Sequence, residues 1–176
     1  VRKGLAAYWA YVSHRAIASR REMLKCLDIP GIAHPVWLRP GTSDWSVMEQ
    51  VFLNGEFSFS SWPEHEAAIY AHYQRILQQA KTPLIIDCGA NVGFSAIWFA
   101  TKFPRAPIYA VEPEPNNFAI LCRNVARFEN VVPLQAAISD RCARASMVDV
   151  NSEPWAWRIR EDEQGEISTT TVPTLL

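Results

Sequence analysis

The chain has 176 residues, with 17 Lys and Arg against 18 Asp and Glu, a formal net charge of −1 and 49% apolar residues. That length suits one domain with a sound core. The near-zero charge excludes a broad nucleic-acid surface, which needs a basic excess. Four cysteines, Cys26, Cys88, Cys122 and Cys142, form no C-x-x-C pair and no zinc spacing, so they read as reduced thiols of a cytoplasmic protein without a metal site.

Residues 3–27 read as an amphipathic helix with Leu5, Tyr8, Trp9, Val12 and Ala16 on one face. The expected use of that face is packing against its own domain, with association to a membrane surface or a partner as the alternative. Basic residues, an apolar stretch and Ala16-Ile17-Ala18 loosely resemble a signal peptide. Ser13, His14 and Arg15 argue against it, since the cleavage region should be small and neutral. The apolar stretch also falls far short of the ~20 residues that cross a bilayer.

IPGIAHP then breaks the helix. HPVWLR (34–39) is a short extended piece and RPGTSDW a turn, where Ser43 or Asp44 can cap a helix over roughly 45–54. A longer helix starts in SSWPEHEAAIYAHYQRILQQA, with Ser61 and Glu64 at capping-box spacing and Ile69, Tyr73, Ile76, Leu77 and Ala80 as its buried face. Residues 1–82 therefore form a helical cap region.

From residue 83 the pattern alternates: strand at 84–87, helix at 92–103, strand at 107–112, helix at 115–127, strand at 130–137. This β-α-β-α-β order predicts a parallel sheet with right-handed crossovers. ARASMVDV (143–150) and ISTTTVPTLL (167–176) are β-like and suit an antiparallel addition, with a polar loop over 153–166 between them.

The turn after the first strand, D-C-G-A-N-V-G, has the place of a nucleotide-cofactor loop. A pyrophosphate on a helix N-terminus is the usual ligand of G-x-G-x-x-G turns. Asp87 would repel one and attract a cation. S-adenosylmethionine carries a sulfonium and an ammonium group and no phosphate, so Asp87 favours it over NAD. Glu112, ending the next strand, is placed to take both hydroxyls of a ribose. Taken singly, Asp87 also suits a helix cap, Gly89 and Gly93 a plain tight turn, and Glu112 a solvated strand end.

IIDCGANVGFSAIWFA, YAVEPEPNNFAILCRNV and VVPLQAAISD together resemble the FkbM-like family of S-adenosylmethionine-dependent methyltransferases, and HPVWLRPGTSDWSVMEQVF resembles the segment that precedes the fold in that family. The resemblance covers about residues 34–176. It implies a class I methyltransferase, Rossmann-like three-layer α/β fold and O-methylation of a sugar, glycolipid or secondary-metabolite hydroxyl. It also implies that Asp87, Gly89, Ala90, Asn91 and Gly93 surround the methionine part of the cofactor, that Glu112 binds the ribose, that Pro113 and Asn117 shape the adenosine side, and that Ala136 and Ala137 lie near the adenine. Arg39, Ser43 and Asp44 are candidates to close over the methionine carboxylate.

TTTVPTLL matches the start of the family's V-x-T-x-x-L-D-x-L stretch and stops before its leucine–aspartate pair. The expectation is therefore the first half of the fold, with 84–87 left as an open apolar edge. Dimerisation through that edge, fold-back of 167–173, or further chain would cover it. A non-catalytic binding module is the alternative function. His14, His34, His65 and His72 all lie in the cap region, so the sequence identifies no catalytic base.

Overall fold

The computed structural model describes residues 24–58, 62–148 and 158–176. Most of the helix predicted over 3–27 lies outside these residues. Its last part is not helical: Lys25–Leu27 forms strand β1, antiparallel to β2 (Val36–Leu38), with Cys26 opposite Trp37. Pairing with a β-branched and aromatic strand overrides the helical periodicity there. IPGIAHP is the link, turning at Gly31 with φ +86°.

Helix α1 (Asp44–Met48) follows and widens into a π-helical turn over Glu49–Leu53. Ser43 occupies its cap position without a side-chain cap bond of its own, while Thr42 Oγ1 accepts the Asp44 N–H at 3.2 Å. The Asp44 carboxylate turns back to Arg39 instead. Helix α2 (Pro63–Gln78) starts with Pro at its first position after Trp62, and the expected Ser61 cap lies outside the described residues. Of its predicted buried face, Tyr73 is buried and Ile76 and Leu77 are half-buried, while Ile69 and Ala80 are exposed. The helix docks instead through aromatics: Tyr70 and Tyr73 pack on Phe103, with ring centroids 5.3 and 5.2 Å apart, and the Tyr73 hydroxyl accepts the Arg105 N–H at 3.1 Å.

The alternating region folds as read up to its third strand. Strands β3 (Ile85–Cys88), β4 (Ile108–Val111) and β5 (Val131–Leu134) pair in parallel in the order β3-β4-β5. Helices α3 (Phe94–Lys102) and α4 (Pro115–Val125) make the crossovers. Among the described residues no strand pairs with the outer edge of β3. A second sheet has the order β6-β9-β7-β8, from β6 (Ala137–Ile138), β7 (Arg144–Val148), β8 (Arg158–Glu161) and β9 (Ile167–Thr170). Its β7 pairs are antiparallel, as expected, and β6 with β9 is parallel.

Three expectations need correction. The predicted third strand at 130–137 is two strands, broken after Leu134. The loop expected over 153–166 contains β8, whose RIRE sequence is a charged edge strand. The end of the chain is not β throughout: Thr171 caps a short helix α5 (Val172–Leu175), with Pro173 in its first turn.

One apolar core joins the two regions: Ile29, Val36, Leu38, Met48 and Val51 pack with Phe94, Ile97, Ile108, Leu121 and Val125. Asn124, 3% exposed, is the polar staple inside it. Its Nδ2 donates to the Trp37 carbonyl at 2.9 Å and the Val92 carbonyl at 2.7 Å, and its Oδ1 accepts the Trp37 N–H at 2.6 Å. The strand pair β1–β2 is thereby tied to the turn after β3. Asn124→Ala removes the partner of the buried Val92 carbonyl and of the half-buried Trp37 N–H and carbonyl, and is expected to cost about 1–2 kcal/mol. Urea titration checks this, and an unchanged midpoint would contradict it. No helix among the described residues is long and apolar enough to cross a membrane.

Candidate cofactor site at the tips of β3 and β4

Parallel pairing places Asp87 opposite Ala110 and Cys88 opposite Val111, so the turn after β3 lies beside the end of β4. The Gly89 and Ala90 N–H groups both donate to the Val111 carbonyl, at 2.8 and 3.0 Å. The Asn91 N–H donates to Glu112 Oε2 at 2.8 Å. Asn91 sits at φ +50°, a left-handed conformation that asparagine tolerates better than most residues. The turn and Glu112 thus form one cradle. Among the described residues no group of three or more His, Cys, Asp or Glu side chains is placed to hold a metal.

The two glycines differ. Gly89, at φ +83°, has nothing among the described residues within 4 Å of where a Cβ would stand, so it borders open space. Gly93 precedes α3 at φ +90°, and a Cβ there would lie 2.6 Å from Leu121 Cδ1. Its glycine lets α3 approach α4. Ala90 is buried.

Asp87 is half-buried and accepts a hydrogen bond from Ser95 Oγ at 2.7 Å, a side-chain contact on the first turn of α3 and not a backbone cap. Burial raises its pKa, the Ser95 bond pulls it partly back, and among the described residues no cationic side chain contributes. The folded-state pKa thus lies above the ordinary 3.8. Stability tied to the protonated form is fully present below that value and is lost as pH rises through the raised one. Asp87→Asn cannot ionise, so the ligand-free variant is expected to melt above wild type at pH 7, with the gap closing near pH 4. Thermal melts at the two pH values check this, and a lower midpoint for the variant at pH 7 would contradict it.

Glu112 is 5% exposed. Besides Asn91, it accepts the Glu114 N–H at 3.0 Å and Asn117 Nδ2 at 3.4 Å, both on Oε1. Burial raises its pKa against these three bonds, with Glu114 adding a smaller push upward. A carboxylate offers about four acceptor positions. Three are in use, so a ribose taken on both oxygens would have to share Oε1 with the long Asn117 contact.

Asn117 is buried on the first turn of α4, which Glu114 caps by accepting the Asn116 and Asn117 N–H groups at 3.0 and 2.6 Å. Pro113 is half-buried between Glu112 and that cap. The Leu134 carbonyl accepts both the Glu112 N–H at 3.0 Å and the Ala136 N–H at 3.1 Å, which sets Ala136 beside the β4 tip. Ala137 is one residue further, in β6 opposite Thr169, and both alanines are buried.

Arg39 and Asp44 lie on the Glu112 side. Arg39 Nε and Nη2 donate to the two Asp44 oxygens at 2.9 and 2.7 Å, Asp44 is fully buried, and Arg39 Nη2 also reaches Asn117 Oδ1 at 2.6 Å. The Asp44 contact raises the Arg39 pKa further, so the guanidinium stays charged. It is committed to these partners, which does not suit the expected role over a methionine carboxylate. Ser43 makes no cap bond. His34 packs edge-on to Phe128, His65 lies beside Trp62 and Glu64, and His72 contacts Arg75. Sequence reading missed Ser95, Glu114 and the Arg39–Asn117 contact. A signal existed for Glu114, which precedes Pro115 at a helix start.

No protein-family model matches the chain. Over 71 residues it is 35% identical to "Methyltransferase sdnD" of Sordaria araneosa, covering 39% of this chain and 27% of that protein. Over 99 residues it is 27% identical to "Methyltransferase 1" of Beauveria bassiana (strain ARSEF 2860), covering 52% of this chain and 39% of that protein. The matched parts thus span well under half of either relative. What the comparisons give is distant similarity to proteins named methyltransferases, in a chain whose parallel β3-β4-β5 sheet is compatible with a Rossmann-like methyltransferase fold.

Proposed function

We propose that this chain carries the cofactor-binding part of an S-adenosylmethionine-dependent methyltransferase of the FkbM-like kind, acting on a hydroxyl of a sugar, glycolipid or secondary metabolite. The observation that carries the proposal is Asp87. It is a desolvated carboxylate at a sheet tip, beside the open space at Gly89, and among the described residues no cationic side chain contributes to its raised pKa. Such a site suits a ligand that brings its own positive charge and no phosphate. Distant similarity to two proteins named methyltransferases supports the same reading.

Asp87 and the 89–93 turn would hold the amino-acid end of the cofactor, and Glu112, with Asn117 beside it, the ribose. Ala136 and Ala137 would flank the base. When bound, S-adenosylmethionine supplies an activated methyl group. This chain's part is to orient that group and shield it from water. Incubation with methyl-labelled S-adenosylmethionine and a panel of sugars, glycolipids and hydroxylated metabolites tests the activity. Labelled methyl ether is the expected product. Cofactor binding without transfer across the panel would favour a non-catalytic module.

A further inference from the structure

Arg39, from the segment before α1, reaches across to the candidate ribose site by way of Asn117. The order of contacts is Asp44 carboxylate, Arg39 guanidinium, Asn117 amide, Glu112 carboxylate, at 2.7, 2.6 and 3.4 Å. Arg39 and Asn117 are 78 positions apart in the chain, and Asp44 is fully buried.

The chemistry of the four groups fixes the direction of this relay. A guanidinium has donors and no acceptor, and an ionised carboxylate has acceptors and no donor. Asn117 stands between one of each. Its oxygen must therefore face Arg39 and its NH2 group must face Glu112, so the usual ambiguity of an asparagine amide does not arise. Asp44 holds the guanidinium by two bonds in the fork geometry that arginine favours, and takes the Arg39 backbone N–H at 2.8 Å as well.

Resting on the ribose reading of Glu112, we infer that Arg39 and Asp44 are positioning residues for the ribose subsite. They lock the Asn117 amide with its donors toward Glu112, and Asn117 in turn holds Oε1 of Glu112 in place. Without Arg39 the amide can rotate and present its oxygen to the carboxylate, which repels it. The segment before α1 therefore sets recognition of the ribose without touching the ligand.

The test compares S-adenosylhomocysteine with its 2′,3′-dideoxy analogue by calorimetry on the whole chain. Wild type is expected to prefer the ribose form by about tenfold or more, the scale of a hydrogen bond to a charged group. Arg39→Met should shrink that preference several-fold and leave affinity for the dideoxy analogue nearly unchanged. Because Arg39→Met strands a buried carboxylate, Arg39→Met/Asp44→Asn serves as the variant that removes the stranded charge. Asn117→Asp keeps a partner for Arg39 and turns an acceptor toward Glu112, so it should shrink the preference too. Equal losses for both ligands in the Arg39 variants, with the ratio kept, would make Arg39 a merely structural residue and overturn the assignment. An unchanged ratio in Asn117→Asp would do the same. A wild type that binds both ligands equally would overturn the ribose reading itself, and this inference with it.

Discussion

Gly93→Ala is expected to destabilise the protein by about 2–5 kcal/mol. Two costs combine. A non-glycine residue at φ +90° carries about 1–2 kcal/mol of strain. The new Cβ also falls 2.6 Å from Leu121 Cδ1 and 3.4 Å from Val125 Cγ1, and overpacking a close helix contact costs about 1–3 kcal/mol. Leu121 is fully buried and has little room to retreat. Gly89→Val behaves differently. Its side chain enters open space, so the fold bears the strain alone while the cofactor loses the room it needs. Denaturant titration of both variants, with S-adenosylhomocysteine binding measured on each, separates the roles. A Gly93→Ala protein as stable as wild type, or a Gly89→Val protein that binds normally, would contradict this division.

Glu112→Ala is expected to weaken S-adenosylhomocysteine binding by about 1.5–3 kcal/mol, roughly 10–150-fold, the loss of a charged hydrogen-bonding group. It also leaves the Asn91 and Glu114 N–H groups without their acceptor, so stability falls as well. Affinity must therefore be read well below the unfolding transition. Equal affinity in wild type and variant would remove Glu112 from the site.

The cradle itself was legible because its parts are local. LIID and PIYAVE are apolar runs that end in carboxylates, and the turn between the first strand and its helix carries its own glycines. Parallel pairing then brings Asp87 and Glu112 to neighbouring tips without any long-range assumption. What stayed hidden depends on contacts across the chain. Nothing near Arg39 in the chain announces that it meets Asn117, 78 positions away. Asn124 reads as an ordinary polar helix residue until β2 is seen packed against it. β8 hides because an edge strand rich in charge has the composition of a loop. The buried face of α2 was legible only in part: Tyr73 is buried and Leu77 packs beside it, but the helix docks on one small aromatic cluster at Phe103 and Ile69 stays exposed.

Gly89 and Gly93 show the same limit within one motif. Both look like cofactor-loop glycines in the sequence, yet one borders open space and the other exists for helix packing. Sequence spacing finds the turn, and only the neighbouring α4 tells the two apart.

The central claim is that the cleft between Asp87 and Glu112 takes a phosphate-free nucleoside cofactor whose amino-acid end carries an ammonium group. Isothermal titration of the whole chain with S-adenosylhomocysteine and, separately, with NAD tests it most directly. The account predicts saturable binding of S-adenosylhomocysteine that Glu112→Ala weakens, and no binding of NAD. Saturable NAD binding, with S-adenosylhomocysteine giving no heat, would contradict it.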